Sequence, residues 1–514
     1  MLSPDPAPYP RDLLHAAVAG HARLRPDAIA LADGTAGGGD RITYRTLDHA
    51  ADAYAEELRG LGVRPGDLVP VALPRGARLI AVLLAVLKCG AGYAALDPAL
   101  PAYRFRECVG RLGGRVAVVP AATAHEPSGP AGRIRWTPPE EALEDAARRR
   151  TGAVHTEVSP SSVASVFFTS GTSGSPKGVL SPHAAALRLF TGHRPVAGLG
   201  PGRTMAQAAP TGWDAFSLEV WGPLSTGGTC ALAPANRLLP DDLRLLRTRS
   251  GVDTLWITSA LFNLFVDEDI DSFAGLRTVL TGGEVLSPAH VRAFLGRHPG
   301  IRLVNGYGPV ESCVFATTRT VRPEDCGLPH GIPIGRPVPG TGVHLVDGEI
   351  WLTGTGLAHG YLADPAATRA AFPRLRIDGR DERAYRTGDR GAYDRDGVLH
   401  FLGRTDRQVK IAGHRLEPAG IESAARAVPG VRHCHVLPVP GPGPDAGPAH
   451  LALFYTSLTG GMTAADVRRA LAERLPAYSV PAEVRRVPYL PVTANGKVDS
   501  AALLSTLTAA RSTR

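Results

Sequence analysis

The chain has 514 residues, 44% of them hydrophobic, and a formal net charge of +8, enough material for about two or three packed domains. Its longest apolar run, Leu79–Leu87, falls far short of the roughly 20 residues that a membrane-spanning helix needs. The arginines are spread along the whole chain with no basic, aromatic-interleaved segment, which argues against nucleic acid and leaves anionic small molecules or an acidic protein partner.

Six scattered cysteines (Cys89, Cys108, Cys230, Cys313, Cys326, Cys434) form no CxxC pair, so a disulfide framework or zinc site is not expected and a reducing cytoplasm is. No basic start followed by an apolar core marks a secretion signal. Only four of the 56 Lys and Arg residues are lysine: Lys88, Lys177, Lys410 and Lys497. Each lies in a Gly-rich or turn-rich stretch, where a compact ammonium on a flexible stem does what a planar guanidinium cannot.

In chain order, Pro120–Ser162 is rich in Ala, Pro, Arg and Glu with poor periodicity, and reads as a linker or long surface loop. Val163–Phe168 reads as a buried strand, followed by the loop Thr169–Gly178 and a helix around Pro182–Phe190. Leu276–Leu280 is a second strand, and Ser287-Pro288 then opens a helix with Ser as N-cap and Pro at its first position. Ile301–Val304 is a third strand running into Asn305–Gly308. This alternation predicts α/β layers with ligands where loops leave the carboxyl ends of strands. A polar turn after Phe401–Arg404 marks a domain boundary, and Pro438–Pro448 a Pro/Gly loop.

The motif richest in chemistry is Thr169-Ser170-Gly171-Thr172-Ser173-Gly174-Ser175-Pro176-Lys177-Gly178. Its glycines let backbone N–H groups curl toward an anion, its hydroxyls add donors, and Lys177 adds a charge, the makings of a phosphate loop. It lacks the Gly-Lys-Ser/Thr order of a Walker A loop.

This loop resembles the phosphate loop of adenylate-forming enzymes, and in particular of the amino-acid adenylation domains of nonribosomal peptide synthetases. Further stretches resemble successive motifs of that family, in order along nearly the whole chain. They are Ile42–Leu47, Leu87–Pro98, Asn305–Glu311, Gly348–Tyr361, Tyr385–Asp389, Gly403–Arg415, Leu475–Pro481 and Asn495–Asp499. The four lysines all lie within these motifs.

The resemblance implies a large multi-layer α/β domain over residues 1–405 and a small mobile α+β domain over 406–514 carrying the catalytic lysine. It implies ATP and Mg²⁺ and the joining of a carboxylate to the α-phosphorus of ATP. Lys497 is then the catalytic lysine, reaching both substrate carboxylate and phosphate, and Glu311 holds Mg²⁺, a hard oxygen ligand for a hard ion. Thr169, Ser170, Gly171, Thr172, Ser173, Gly174 and Lys177 surround the phosphates. Gly283, Glu284 and Gly306 border the nucleotide, Tyr307 stacks on adenine, and Asn305 bonds its edge. Asp389 accepts the ribose hydroxyls with Arg404 in support. Asp406 is the hinge about which the small domain rotates, withdrawing Lys497 and presenting the loop around Gly413 to a carrier thiol. Lys410 is expected to support the hinge, and Lys88 to shape the amino-terminal fold.

Asp214, in the stretch Trp213–Leu218, matches the residue that pairs with the ammonium group in relatives taking α-amino acids. A buried carboxylate is costly unless paired, so it calls for a cationic substrate group. Around the side chain the resemblance places Ala215, Leu218, Trp256, Leu280, Gly282, Gly306, Val314 and Phe315. Such a wall suits a small aliphatic chain: valine first, with 2-aminobutyrate and isoleucine next.

Val310 stands where the family commonly has Thr, Arg390 where an apolar residue is usual, and Glu417–Glu422 is atypical. The expected protein is a free-standing enzyme of nonribosomal peptide synthesis, as in antibiotic biosynthesis. It would load the phosphopantetheine arm of a separate carrier protein, with an MbtH-like helper as a partner the resemblance allows. An acyl- or aryl-CoA ligase of the same superfamily and a silent nucleotide-binding protein are the alternatives. Asp214 disfavours the first, and Lys497 with Glu311 the second.

Overall fold

A computed structural model describes residues 12–33, 41–121, 133–169, 175–190, 196, 198–234, 238–441, 447–457, 462–491 and 498–511. Two large sheets dominate the first 340 residues. One has nine strands, in spatial order 336–337, 317–320, 302–307, 278–282, 254–258, 204–207, 229–232, 29–33 and 41–43. Its six inner strands run parallel, and antiparallel pairings close both edges. The other has six strands, in order 134–136, 116–118, 68–71, 92–95, 163–169 and 177–182, of which only the last is antiparallel to its neighbour.

The apolar run noted in the sequence is the helix Ala77–Lys88, buried from Leu79 to Lys88. The helix Asp214–Thr226 is buried through Ser225. Both helices are buried on nearly every face, and their apolar residues share one core cluster with residues of both sheets. Trp221 ties the layers together by donating through Nε1 to the Tyr93 hydroxyl at 2.7 Å. Lys88 ends the first helix between Asp48 and Asp52, at 2.7 and 2.6 Å, and so serves the fold as expected.

A third, antiparallel sheet contains Thr341–Val346, Glu349–Gly354, Arg374–Ile377, Arg380–Tyr393 and Leu399–Arg404. After it come a short hairpin, Val409–Ile411 with His414–Leu416, and a three-stranded sheet of Val431–Pro440, Pro448–Ser457 and Glu483–Arg486. The core clusters of this last part contain residues from 409 onward only, while the others stop at Phe401. No helix among the described residues is long and apolar enough to cross a membrane. The six cysteines are buried and free.

Several local expectations need correction. Pro120–Ser162 is no loose linker in its described part: Ile134–Trp136 is an edge strand and Leu143–Arg148 a helix. Arg149 and Arg150 fasten it through Glu57 at 2.6 Å and Asp52 at 2.8 Å. Elements this short carry too few residues for periodicity to show. Lys177–Pro182 is a strand paired with Val163–Thr169, not loop, and the helix after it is only His183–Leu187. Strands two and three run on to Gly282 and Tyr307. The helix does start at Pro288, but the Ser287 hydroxyl pairs with His290 Nδ1 at 2.7 Å instead of capping it. Pro438–Pro440 belongs to a strand, so the Pro/Gly loop is a hairpin connection.

Candidate active site

Three parallel strands, Thr254–Thr258, Thr278–Gly282 and Arg302–Tyr307, end side by side with Trp256, Leu280 and Val304 in register, and Gly282 opposite Gly306. Backbone leaves no room for a Cβ on Gly282, and the Phe315 ring leaves none on Gly306 unless it shifts. A Cβ on Gly306 would lie 2.2 Å from the Phe315 ring, and one on Gly282 would lie 2.0 Å from the Gly306 carbonyl oxygen. Phe315 stands edge-on to Trp256, with ring centroids 5.4 Å apart.

The segment after the third strand is held in an unusual shape. Val310–Ser312 forms a single 3₁₀ turn, and Cys313 and Val314 then take φ of 51° and 69°. A β-branched residue rarely accepts the left-handed region, so the surroundings must impose it. Buried Arg188 supplies the constraint, donating to the carbonyls of Ser312 at 2.7 Å and Phe315 at 2.6 Å. Burial pulls its guanidinium down to about 10. The strained turn aims the Val314 N–H at Oδ2 of Asp214, 2.9 Å away.

Asp214 opens the helix Asp214–Thr226 and is only 5% exposed. Burial pushes its carboxyl up to about 6, against the pull of the Val314 and Ala215 N–H groups. A small cavity of about 50 Å³ lies beside it, walled by Trp213, Ala215, Trp256, Gly306, Val314 and Phe315. Leu218, Leu280 and Gly282 do not reach this cavity; the two leucines sit in the apolar cluster with Trp256, Val314 and Phe315.

The same cavity reaches Asp389 and Arg404. The Tyr307 hydroxyl donates to Oδ2 of Asp389 at 2.6 Å, and Arg404 pairs with its other oxygen. Arg404 also grips both oxygens of Asp406, at 2.7 and 2.9 Å, linking the third sheet to the segment that follows. Asn305 is buried nearby, its amide donating to the Pro333 carbonyl at 2.9 Å. Lys177 lies over the Tyr361 ring, 5.2 Å from its centroid, and the Thr169 hydroxyl reaches the Lys177 carbonyl at 3.4 Å. Ser170, Gly171, Thr172, Ser173, Gly174 and Lys497 lie outside the described residues.

The hairpin Val409–Leu416 docks into this site. Its turn residues Ala412 and Gly413 have φ of 50° and 82°, the two-residue turn that suits hairpin twist. The Gly413 N–H donates to Oε1 of Glu284 at 3.0 Å, beside Gly283, and a Cβ there would meet Thr258 at 2.4 Å. Burial raises the Glu284 carboxyl, against the pull of the Gly413 N–H and Lys410. His414 stacks flat on Tyr478 at 3.9 Å. Lys410 is half-buried in the cavity lining, 5.8 Å from the centroid of Tyr307, and burial lowers its ammonium, against the pull of Asp389. Arg415 reaches Oε2 of Glu311 at 2.8 Å, while the Tyr361 hydroxyl donates to Oε1 at 2.8 Å. Burial pushes the Glu311 carboxyl up, but Arg415 and Tyr361 outweigh it and the net shift is downward.

Sequence reasoning missed Trp213, Arg188 and Arg415 as parts of the site. Trp213 was visible as the aromatic residue before Asp214, whereas nothing local marks the two arginines among so many. A second cavity of about 520 Å³ lies behind Trp213 and Trp256, bordered by Thr258, Glu219, Ala412 and His414.

The AMP-binding enzyme family matches residues 18–362, and the AMP-binding enzyme C-terminal domain matches residues 420–497. Malpibaldin synthetase of Mortierella alpina is 34% identical, over 96% of this chain and 9% of its own length. Phosphinothricin tripeptide synthetase PhsC of Streptomyces viridochromogenes is 37% identical, over 95% of this chain and 45% of its own length. The chain thus spans less than half of these relatives. Among solved structures, holo-PA1221, an NRPS protein containing adenylation and PCP domains bound to vinylsulfonamide inhibitor, aligns with a TM-score of 0.82 and 35% identity. That alignment covers 96% of this chain and 84% of that one. The chain belongs to the AMP-binding enzyme family, with the two-part fold of its nonribosomal peptide synthetase adenylation members.

Proposed function

We propose that this chain activates a small aliphatic α-amino acid, valine first and 2-aminobutyrate or isoleucine next, and passes it to the phosphopantetheine thiol of a separate carrier protein. The observation that carries this reading is Asp214, a buried carboxylate at the mouth of a cavity with aromatic and aliphatic walls. It faces a main-chain N–H but is raised by burial, so a substrate ammonium would relieve it. Ala215, Gly306, Val314 and Phe315 offer no side-chain partner for a polar substituent, while Asp389, Arg404, Lys410 and Arg415 line another part of the same cavity. One methylene against the apolar walls is worth about 1–3 kcal/mol, which predicts relaxed choice among short aliphatic chains.

In the first half-reaction a carboxylate oxygen bonds to the α-phosphorus of ATP and the bond to pyrophosphate breaks. Asp214 orients the amino acid by its ammonium, while Asp389 with Arg404 holds the ribose and Tyr307 stacks on adenine. Lys497 is the cation we assign to the two reacting anions. Glu311 would hold Mg²⁺, which when bound supplies positive charge against the phosphates. One buried carboxylate fits that ion, because Mg²⁺ takes the rest of its shell from phosphates and water. In the second half-reaction the thiol sulfur bonds to the acyl carbon and AMP leaves. The larger cavity bordered by Ala412 and His414 is the route we assign to the phosphopantetheine arm. The separate core clusters support units of 1–405 and 406–514 with Asp406 as the hinge between them.

Amino-acid-dependent ATP–pyrophosphate exchange tests this, run over the proteinogenic amino acids plus 2-aminobutyrate, with aryl and fatty acids as controls. One arm adds an MbtH-like protein. Exchange led by valine or its neighbours is expected; exchange led by an aryl or fatty acid would favour the CoA-ligase reading.

A further inference from the structure

Arg188 is 8% exposed, and among the described residues no carboxylate pairs with its guanidinium. Its acceptors there are neutral oxygens. Nε donates to the Thr341 hydroxyl at 3.3 Å, and the two Nη atoms to the carbonyls of Ala185, Ser312, Cys313 and Phe315. A buried cation without a partner charge is costly, and an apolar residue of similar length would serve packing alone. The guanidinium is retained for what its fork can hold.

Three of those carbonyls belong to the turn after the third parallel strand: Ser312 at 2.7 Å, Cys313 at 3.4 Å and Phe315 at 2.6 Å. A planar fork takes carbonyls from several directions at once, and an ammonium on a flexible stem does this less rigidly. The Cys313–Val314 peptide is trans, so its C=O and N–H point in opposite directions. The C=O faces Nη1 of Arg188, and the N–H faces Oδ2 of Asp214 at 2.9 Å. One peptide thus bridges a buried guanidinium and a buried carboxylate. Glu311, in the same turn, has fastenings of its own: its carbonyl accepts the Ala358 N–H and its Oε1 the Tyr361 hydroxyl, both at 2.8 Å.

We infer that Arg188 is a positioning residue for the amino acid, fixing the Asp214 carboxylate through the Cys313–Val314 peptide without touching the substrate. This rests on reading Asp214 as the group that receives the substrate's ammonium. The bridge also has the right polarity. A cation on the carbonyl draws electron density from the N–H and strengthens its hydrogen bond to an ionised carboxylate. Without the guanidinium, Cys313 and Val314 lose the anchors that keep them at φ of 51° and 69°, and the N–H turns away from Asp214.

The test has two arms, both on the full chain. In ATP–pyrophosphate exchange with valine, Arg188→Met should raise KM for valine roughly tenfold or more and KM for ATP far less, with Arg188→Lys between. A merely structural role would raise both alike, and equal rises, or no rise for valine, overturn the inference. The second arm needs no amino acid. The stability difference between each background and its Asp214→Asn partner, read by urea unfolding across pH, levels off at the folded value of Asp214, about 6 in the parent. In Arg188→Met that point should move up by on the order of half a unit or more, because the pull of the Val314 N–H is lost. An unmoved point overturns the inference. Should Arg188→Met fail to fold, as judged by circular dichroism, Gly356→Ala crowds the guanidinium instead, with an added Cβ 2.4 Å from its carbon, and should give a weaker form of both effects. Absence of exchange with every acid, with the second arm behaving as expected, would overturn the functional reading alone.

Discussion

The main-chain N–H of Val314 donates to Oδ2 of Asp214 across 2.9 Å, joining a residue at φ of 69° to the first residue of a buried helix. The contact couples a strained turn to the group that would receive the substrate's ammonium. It places this carboxylate where burial is the largest influence on its protonation, with the Glu311 charge adding to it and Lys410 opposing it.

Amino-acid affinity should therefore depend on pH. The Asp214 carboxyl, pushed up to about 6, must be ionised to hold an ammonium. KM for the amino acid should rise roughly tenfold per unit as pH falls below that value. Asp214→Asn should raise KM at least a hundredfold at neutral pH and flatten this profile. Its effect on stability has the opposite sign. The folded value lies above the ordinary 3.8, so the penalty of ionisation grows as pH rises from about 4 to about 6, is fully present above that, and is absent below about pH 4. Removing the charge should stabilise the ligand-free protein at pH 7 by about 3 kcal/mol, read from urea unfolding.

Phe315 and Gly306 should set the size of the side chain accepted. Gly306→Ala would push the Phe315 ring, which an added Cβ approaches to 2.2 Å. Exchange with valine should fall roughly tenfold or more, a loss of about 1–3 kcal/mol for overpacking. Phe315→Ala should admit leucine or methionine, at about 3 kcal/mol in stability. Combining the two should recover part of the lost exchange, because the clash is removed; simple additivity would show that the two positions act separately.

Lys88 tests a purely structural role. Its ammonium is the shared partner of Asp48 and Asp52, and its side chain is only 4% exposed. Lys88→Met leaves two carboxylates facing each other in the core and should cost about 3 kcal/mol or more. The exchange KM should stay where it is, since this pair lies on the helix layer and not at the strand ends.

Asp406 tests the hinge. Its carboxylate takes the Arg404 fork and also accepts the Gln408 N–H at 3.1 Å. Asp406→Pro fixes φ at one end of this turn, and should leave amino-acid-dependent exchange largely intact while abolishing thioester formation. Equal loss in both assays would place Asp406 outside any hinge.

Local chemistry made the order of the motifs and much of the secondary structure legible from sequence. Val163–Phe168 and Pro288 carry their own signals, in a continuous apolar run and a ring that fixes φ at a helix start. Asp214 and Glu311 were legible through the resemblance, which matches them to a carboxylate that pairs with an ammonium and one that holds Mg²⁺. What the sequence could not hold is which side chains of this chain meet them. Arg415 is one arginine among dozens, and it meets Glu311 only because a hairpin more than a hundred residues along the chain docks at the strand ends. The roles of Arg188, Trp213 and Lys410 arise in the same way. Burial and pairing between distant segments depend on how the sheets and the hairpin pack, and local sequence does not encode that packing.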